Sequence, residues 1–332
     1  MKIILDDIIF MLQRAGGISE YWKELSTGMK DINAIEVSNI ISPRNTISNF
    51  HHHYHKYKRC KTPAGFDGVF HSSYYRLATC KRFSVVTVHD FIYHKFYKGF
   101  TRYFNCEHIS KAIKQADAII CISEATKEDL LYYHPELHNV PISTIYHGVD
   151  HSTFTISNRE ERSDFKDCVV FIGTRFDYKN FRTAVEAVSA VSDLRLAIIG
   201  APLQPHELEI IKLNGLDYIE LGYISKDELA NIYSNAFCLL YPSLYEGFGM
   251  PILEAMASGL PVITSDHPAV LEVSGASSLH GIGSDTESYI NALNFVMFNR
   301  NELVKKGLAH SLTFSWQKCV TETLEVYSKL YE

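Results

Sequence analysis

Short, β-branched apolar runs alternate twice over with amphipathic segments, and this rhythm restricts the fold more than any single residue does. The first half offers IILDDIIF (3–10), ISEYWKELSTGMK (18–30), FSVVTVHD (83–90), a helical stretch over 101–116 and DAIICIS (117–123). The second half offers DCVVFIGT (167–174), KNFRTAVEAVSAV (179–191), LRLAIIG (194–200), YIELGYI (218–224), KDELANIYSNA (226–236), FCLLYPS (237–243) and LPVITSD (260–266). Runs of about five residues that are apolar on both faces suit strands covered on both sides. Strand, helix, strand, repeated, predicts parallel sheets with helices on both faces. The expected class is α/β, with two Rossmann-like doubly wound parallel-sheet domains at 1–155 and 156–310. They join where HSTFTISNREERSD (151–164) turns polar. A C-terminal helix, 311–332 with Trp316 near its head, is expected to pack back towards the N-terminal domain. Such sheets bind ligands at the carboxyl ends of their strands, so the cleft between domains is the natural site.

Composition excludes several classes. With 46% hydrophobic and 21% charged residues in 332, the chain reads as globular rather than disordered. The aspartates inside MKIILDDIIFMLQ speak against a secretory leader, and no apolar run reaches the roughly 20 residues that span a bilayer. Seven scattered cysteines lack a C-x-x-C pair, which fits neither a disulfide framework nor a zinc site. A cytoplasmic chain is expected. Charge is uneven: residues 1–150 carry a net +3 and the remainder −9, within an overall −6. The acidic second half argues against nucleic acid as a partner.

The segment YEGFGMPILEAMASGLP (245–261) holds two glutamates around a glycine corner. Pro251 suits a helix start and Gly259 a helix end. The start of that helix would turn free N–H groups and the positive dipole end toward a ligand, and Gly247 and Gly249 would let it approach the backbone. Glu246 in the loop and Glu254 a turn into the helix could both accept hydrogen bonds from sugar hydroxyls. Taken singly, each is better read as a solvated acid or a helix-start acid. Upstream, FIGTRFDYKN runs a strand into a turn at Gly173, followed by Arg175 and Lys179. Two cations near a helix start oppose the dipole preference, which favours a role in clamping a diphosphate.

YEGFGMPILEAMASGLPVITSD, with GTRFDYKN, IYHGVD (145–150) and GGISEYWKEL (16–25), resembles a retaining glycosyltransferase of family 4, mannosyltransferase-like and of GT-B fold. The resemblance covers nearly the whole chain in order. It implies that Arg175 and Lys179 hold the donor diphosphate, that Glu246 contacts the transferred sugar and that Glu254 binds the ribose. It places the backbone amides of Phe248 and Gly249, flanked by Gly247 and Met250, on sugar hydroxyls. Tyr223 and Ile224, after Gly222, would lie by the base, and the Gly16–Gly17 loop would close over the donor phosphates or the acceptor. His89 in TVHD matches a histidine near the sugar, with Asp90 a weaker partner suited to capping the next segment. Glu20 stands where the family commonly has a cation, so no acceptor or phosphate contact is carried over there.

The reaction so implied is transfer of a hexose, mannose from GDP-mannose first and UDP-hexoses next, to a glycan or lipid-linked saccharide in polysaccharide or O-antigen-type biosynthesis. Glu246 acts as a positioning group, and the departing phosphate oxygen takes the acceptor proton on the same face. With no D-x-D in the chain, neither a metal nor another cofactor is expected. His51, His52, His53 and His55 in HHHYHKYKRCK lack metal-ligand spacing and read as a solvated loop. KFYKGFTRYF (95–104) interleaves cations and rings, which suits peripheral contact at the inner face of the cytoplasmic membrane as well as an ordinary charged face. Two other classes share the fold: a nucleotide-sugar epimerase or phosphorylase, and a non-catalytic nucleotide-sugar binding protein.

Overall fold

The computed structural model of the chain describes residues 1–13, 16–30, 32, 57–156 and 164–332, and the backbone of 36–40. They divide into two compact units: Met1–Gly148 with Trp316–Glu332, and Val149–Ser315.

The first unit is built on strands β1 (Lys2–Asp6), β2 (Glu36–Ile40), β3 (Val69–Ser72), β4 (Phe83–Val88), β5 (Ala118–Cys121) and β6 (Ile142–Thr144), in the order β2-β1-β3-β4-β5-β6. The second is built on β7 (Cys168–Ile172), β8 (Arg195–Ile199), β9 (Tyr218–Gly222), β10 (Cys238–Tyr241), β11 (Val262–Thr264) and β12 (Leu279–His280), in the order β12-β11-β10-β7-β8-β9. All neighbours pair parallel. Each sheet reverses its strand order once, between β1 and β3 and between β7 and β10. Such a point leaves a crevice at the carboxyl ends where neighbouring crossovers diverge.

The patterning that forms these layers is plain in the second unit. Phe181, Ala184, Val185 and Val188 recur on one face of the helix Phe181–Ser189 and pack with Val169, Phe171, Leu196 and Ile198 of β7 and β8. Burying each such side chain contributes about 1.5–3 kcal/mol.

Several boundaries differ from the sequence expectation. IILDDIIF does not continue as a strand past Asp6. The Asp6 carboxylate accepts the Ile8 N–H at 3.3 Å, and the chain turns into a short helix, Ile9–Leu12. Asn180 adopts a left-handed conformation (φ 57°), so the stretch from 179 starts with a 3₁₀ turn, Asp177–Lys179, and becomes α-helical only at Phe181. Strand β3, VFHS, was not expected, because His71 and Ser72 look like loop residues; both are buried. The helices Glu124–Tyr133, Pro205–Leu213 and Thr286–Ser311 also escaped the periodicity.

The C-terminal helix, Trp316–Lys329, belongs to the first unit and packs on Gly17–Lys30. Gly28 permits the approach: a Cβ there would lie 2.7 Å from Val320 Cγ2. A buried polar chain fixes the register. Tyr327 Oη bonds His71 Nδ1, His71 Nε2 lies 2.8 Å from Thr87 Oγ1, and Thr87 Oγ1 lies 3.1 Å from Tyr21 Oη. Among the described residues, no helix is long and apolar enough to cross a membrane.

Candidate active site

Beside the β7/β10 crevice, at the carboxyl ends of β7 and β8, the backbone itself comes close together. Gly173 follows β7 at φ +118° and donates its N–H to Ile199 at 2.9 Å, while Gly200 follows β8 at φ +140°. A Cβ on Gly200 would stand 2.6 Å from the Gly173 carbonyl oxygen. Left-handed strain plus a backbone clash predicts that Gly200→Ala costs about 2–4 kcal/mol. Urea unfolding followed by circular dichroism checks this; a loss below half a kcal/mol, roughly the scale of an ordinary surface change, would remove the argument.

Lys179 and Glu246, 67 positions apart in sequence, meet here. Lys179 Nζ lies 2.5 Å from Glu246 Oε1 and 3.4 Å from Tyr241 Oη, and both charged side chains are largely buried. The two loops are tied by the Leu244 N–H on the Tyr178 carbonyl at 2.7 Å. Tyr241, the last residue of β10, was not foreseen; a tyrosine ending the aliphatic run FCLL was the available signal. Burial and the neighbouring Glu246 charge hold its phenol protonated. An ammonium has three donors. Glu246 and Tyr241 occupy two, leaving one for a ligand.

Beside this pair, Gly249 caps the helix Met250–Ala257 at φ +107°, with Pro251 its second residue. Among the described residues, no acceptor meets the N–H groups of Gly249 or Met250. Together with the dipole they form a seat for an anion. The helix ends in a Schellman motif: Leu260 N–H bonds Ala255 O at 2.9 Å and Gly259 N–H bonds Met256 O at 3.1 Å. Glu254 lies on this helix, half-buried, while Phe248 is buried and edges onto Phe314.

Arg175 does not join Lys179. Its Nε sits 2.9 Å from Glu207 Oε1, and its Nη2 donates to the carbonyls of Ala201 (2.7 Å) and Pro202 (2.8 Å). Glu207 is buried and its other oxygen accepts the Gln204 N–H, capping the helix Pro205–Leu213. In sequence it reads as an ordinary helix-start acid, which hides its second role. Arg175 Nη1 is buried with no hydrogen-bond partner among the described residues. Gly222 (φ +66°) ends β9, placing Tyr223, strongly exposed, and half-buried Ile224 at that strand end.

The remaining candidates belong to the first unit. Gly16 and Gly17 open the helix Gly17–Lys30, where Ser19 Oγ donates to the Gly16 carbonyl at 2.9 Å. His89 follows β4 and is buried, and neither ring nitrogen has a partner among the described residues. Desolvation lowers its pKa to about 3, so the ring is neutral, and it edges onto Tyr21 with centroids 5.3 Å apart. Asp90 Oδ1 accepts the Ile92 N–H at 2.9 Å just before the helix Ile92–Lys95, whose N-cap position is held by Phe91. Among the described residues, no group of three or more His, Cys, Asp or Glu side chains is arranged to hold a metal. His51, His52, His53 and His55 lie outside them.

The family model for glycosyl transferases group 1 matches residues 153–306, and that for Glycosyltransferase Family 4 matches 37–153. Glycosyltransferase models thus match both halves of the chain, in order. Its fold is GT-B: the structure of Anabaena Alr3699/HepE in complex with UDP and glucose superposes with a TM-score of 0.74 at 16% identity, covering 99% of this chain and 100% of that one. O-antigen chain mannosyltransferase B of Escherichia coli is 37% identical over 113 residues, 33% of this chain and 30% of that relative. O-antigen chain mannosyltransferase RfbU of Salmonella typhimurium is 28% identical over 218 residues, 64% of the chain and 60% of the relative. The chain therefore spans less than two thirds of the length of either relative.

Proposed function

We propose that the protein transfers a hexose, with retention and without a metal, from a nucleoside-diphosphate sugar to a glycan or lipid-linked saccharide in O-antigen-type assembly. The observation that carries this is the Lys179–Glu246 pair beside the open helix start at Gly249. A departing diphosphate gains negative charge, which the ammonium and the helix start are placed to stabilise more strongly in the transition state than before it. The bond from C1 to the phosphate oxygen breaks, a bond from the acceptor oxygen to C1 forms on the same face, and the acceptor proton passes to the leaving phosphate. Glu246, held by Lys179, accepts hydrogen bonds from the sugar, and Glu254 accepts them from the ribose. Arg175 serves the diphosphate through its unpartnered Nη1 while the rest of the guanidinium braces the Ala201–Pro202 loop. His89, neutral, bonds a sugar hydroxyl, and Tyr223 and Ile224 flank the base.

Mannose from GDP-mannose is the favoured donor, supported by the O-antigen mannosyltransferases among the relatives. A UDP-sugar is the second reading, supported by the UDP and glucose held by the similar structure. The acceptor is met at a membrane surface through the first unit. A thermal-shift panel of GDP- and UDP-sugars tests the donor. A ligand at a hundred times its Kd is expected to add about 2.7 kcal/mol of stability. GDP-mannose should shift Tm most; no shift with any nucleotide sugar would overturn the reading.

A further inference from the structure

Asn180 follows Lys179 directly and does not behave as an ordinary helix start. It holds the N-cap position of the helix Phe181–Ser189 at φ 57° and ψ 40°, where a capping residue is normally extended. An asparagine at that position usually spends its side-chain oxygen on an N–H of the first helical turn. Among the described residues, the Asn180 side chain makes no such bond. Its Oδ1 accepts the Thr183 hydroxyl at 2.8 Å and the Ser284 hydroxyl at 3.2 Å, and its Nδ2 donates to the Gly283 carbonyl at 3.1 Å. The amide is therefore committed to a loop about a hundred positions further along the chain.

That loop, which follows β12, is itself held. The Gly283 carbonyl also accepts Tyr289 Oη at 3.0 Å, and the Gly283 N–H donates to Asp266 Oδ1 at 3.0 Å, two residues past β11. Asn180 and Gly283 thus join the segments that leave β7, β11 and β12. Asn180 is buried, so water competes poorly for these bonds.

The consequence falls on Lys179. On one side its backbone is closed by a 3₁₀ turn, with the Lys179 N–H on the Phe176 carbonyl at 2.7 Å and the Asn180 N–H on the Asp177 carbonyl at 3.0 Å. On the other side stands a left-handed residue that three side-chain bonds keep from rotating. The lysine stem is flexible, so the ammonium is placed between Glu246 and Tyr241 only as well as its Cα is fixed. Glycine would permit the left-handed turn without holding it.

We propose that Asn180 is a positioning residue: its side chain, locked to Gly283 and Ser284, fixes the backbone from which Lys179 reaches the departing diphosphate. This rests on the role given to Lys179 above, through which Asn180 acts.

The test is donor turnover measured below the unfolding transition. Asn180→Gly keeps the turn and removes all three side-chain bonds. It should lose about tenfold in kcat with KM within twofold, because a displaced ammonium weakens stabilisation of the leaving group more than ground-state binding. Asn180→Ala, which also strains the turn, should lose more. Val188→Ala truncates a buried side chain on the same helix away from the tie, and should keep kcat within twofold even where Tm falls. A double-mutant cycle decides between positioning and general support: in a Lys179→Ala background, Asn180→Gly should cost less than twofold. A full tenfold loss in that background, or an Asn180→Gly kcat within twofold of the unaltered protein, overturns the positioning role and leaves the Lys179 assignment standing. Unchanged turnover in Lys179→Ala overturns that assignment itself, and the positioning role with it.

Discussion

Lys179→Ala is expected to lower turnover of the nucleotide sugar by about 10²–10³-fold, the usual effect of removing one preorganised group that stabilises developing charge. The loss should fall on kcat rather than KM, because the ammonium acts most strongly once the diphosphate is leaving. Glu246→Gln keeps the shape and removes the charge, and should cost a similar factor by loosening both the sugar and Lys179. Lys179→Arg should not restore activity, since a planar fork cannot occupy the point between Glu246 and Tyr241 that a compact ammonium fills. Breaking a buried pair leaves an uncompensated charge, so single variants can also lose stability. The double variant Lys179→Met/Glu246→Gln removes both charges and separates the two effects: its Tm should recover while its activity stays low. Hydrolysis and transfer rates with GDP-mannose decide the matter, and turnover within twofold of the unaltered protein in Lys179→Ala and Glu246→Gln would sink the site assignment.

The second large effect is acid lability of the first unit. His71 and His89 are buried neutral, their pKa lowered by desolvation to about 3, and His147 is likewise pushed well below its ordinary value by burial and then by neighbouring His89. Below about pH 6.5 the unfolded chain takes up these three protons and the folded chain refuses them. Stability is therefore full above pH 6.5 and falls as the pH drops, by about 1.4 kcal/mol per pH unit for each histidine. Asp6 works in the opposite direction. Burial, opposed by the Arg76 charge, raises its carboxyl to about 7, so the folded chain binds that proton first and acid favours the fold between about pH 7 and 4. Among these four groups two protons remain uncompensated, a slope of about 3 kcal/mol per pH unit near pH 5, and His94, lowered by burial to about 4, acts in the same direction. Both tryptophans, Trp22 and Trp316, belong to the first unit, so their fluorescence reports its unfolding alone. The urea midpoint should fall steeply from pH 7 to 5, and His147→Phe should flatten it by about one proton. A midpoint unchanged across that range would refute the account.

How much was legible beforehand depended on the range of the interaction. The 3.6-residue spacing of Phe181, Ala184, Val185 and Val188 is local, and it specifies a helix with one buried face wherever that helix ends up. The glycine corner is local too: Gly249 and Gly259 are the residues that can take φ of +107° and +74° at the two ends of one short helix. Strand β3 was hidden because burial of His71 and Ser72 is decided by partners far away, Tyr327 among them. Arg175 shows the same limit. Both cations after β7 could be read as diphosphate ligands, yet one meets Glu246 and the other Glu207.

By itself, the sequence determined the α/β class, the two parallel-sheet halves and the corner that can hold an anion, because periodicity and backbone freedom are properties of neighbouring residues. Only the tertiary structure decided which acid each cation meets, that Tyr241 supplies a second Lys179 contact, and that three histidines of the first unit are held neutral. Those outcomes follow from strand order, register and desolvation, which bring together groups as far apart as His71 and Tyr327 and which no local spacing encodes.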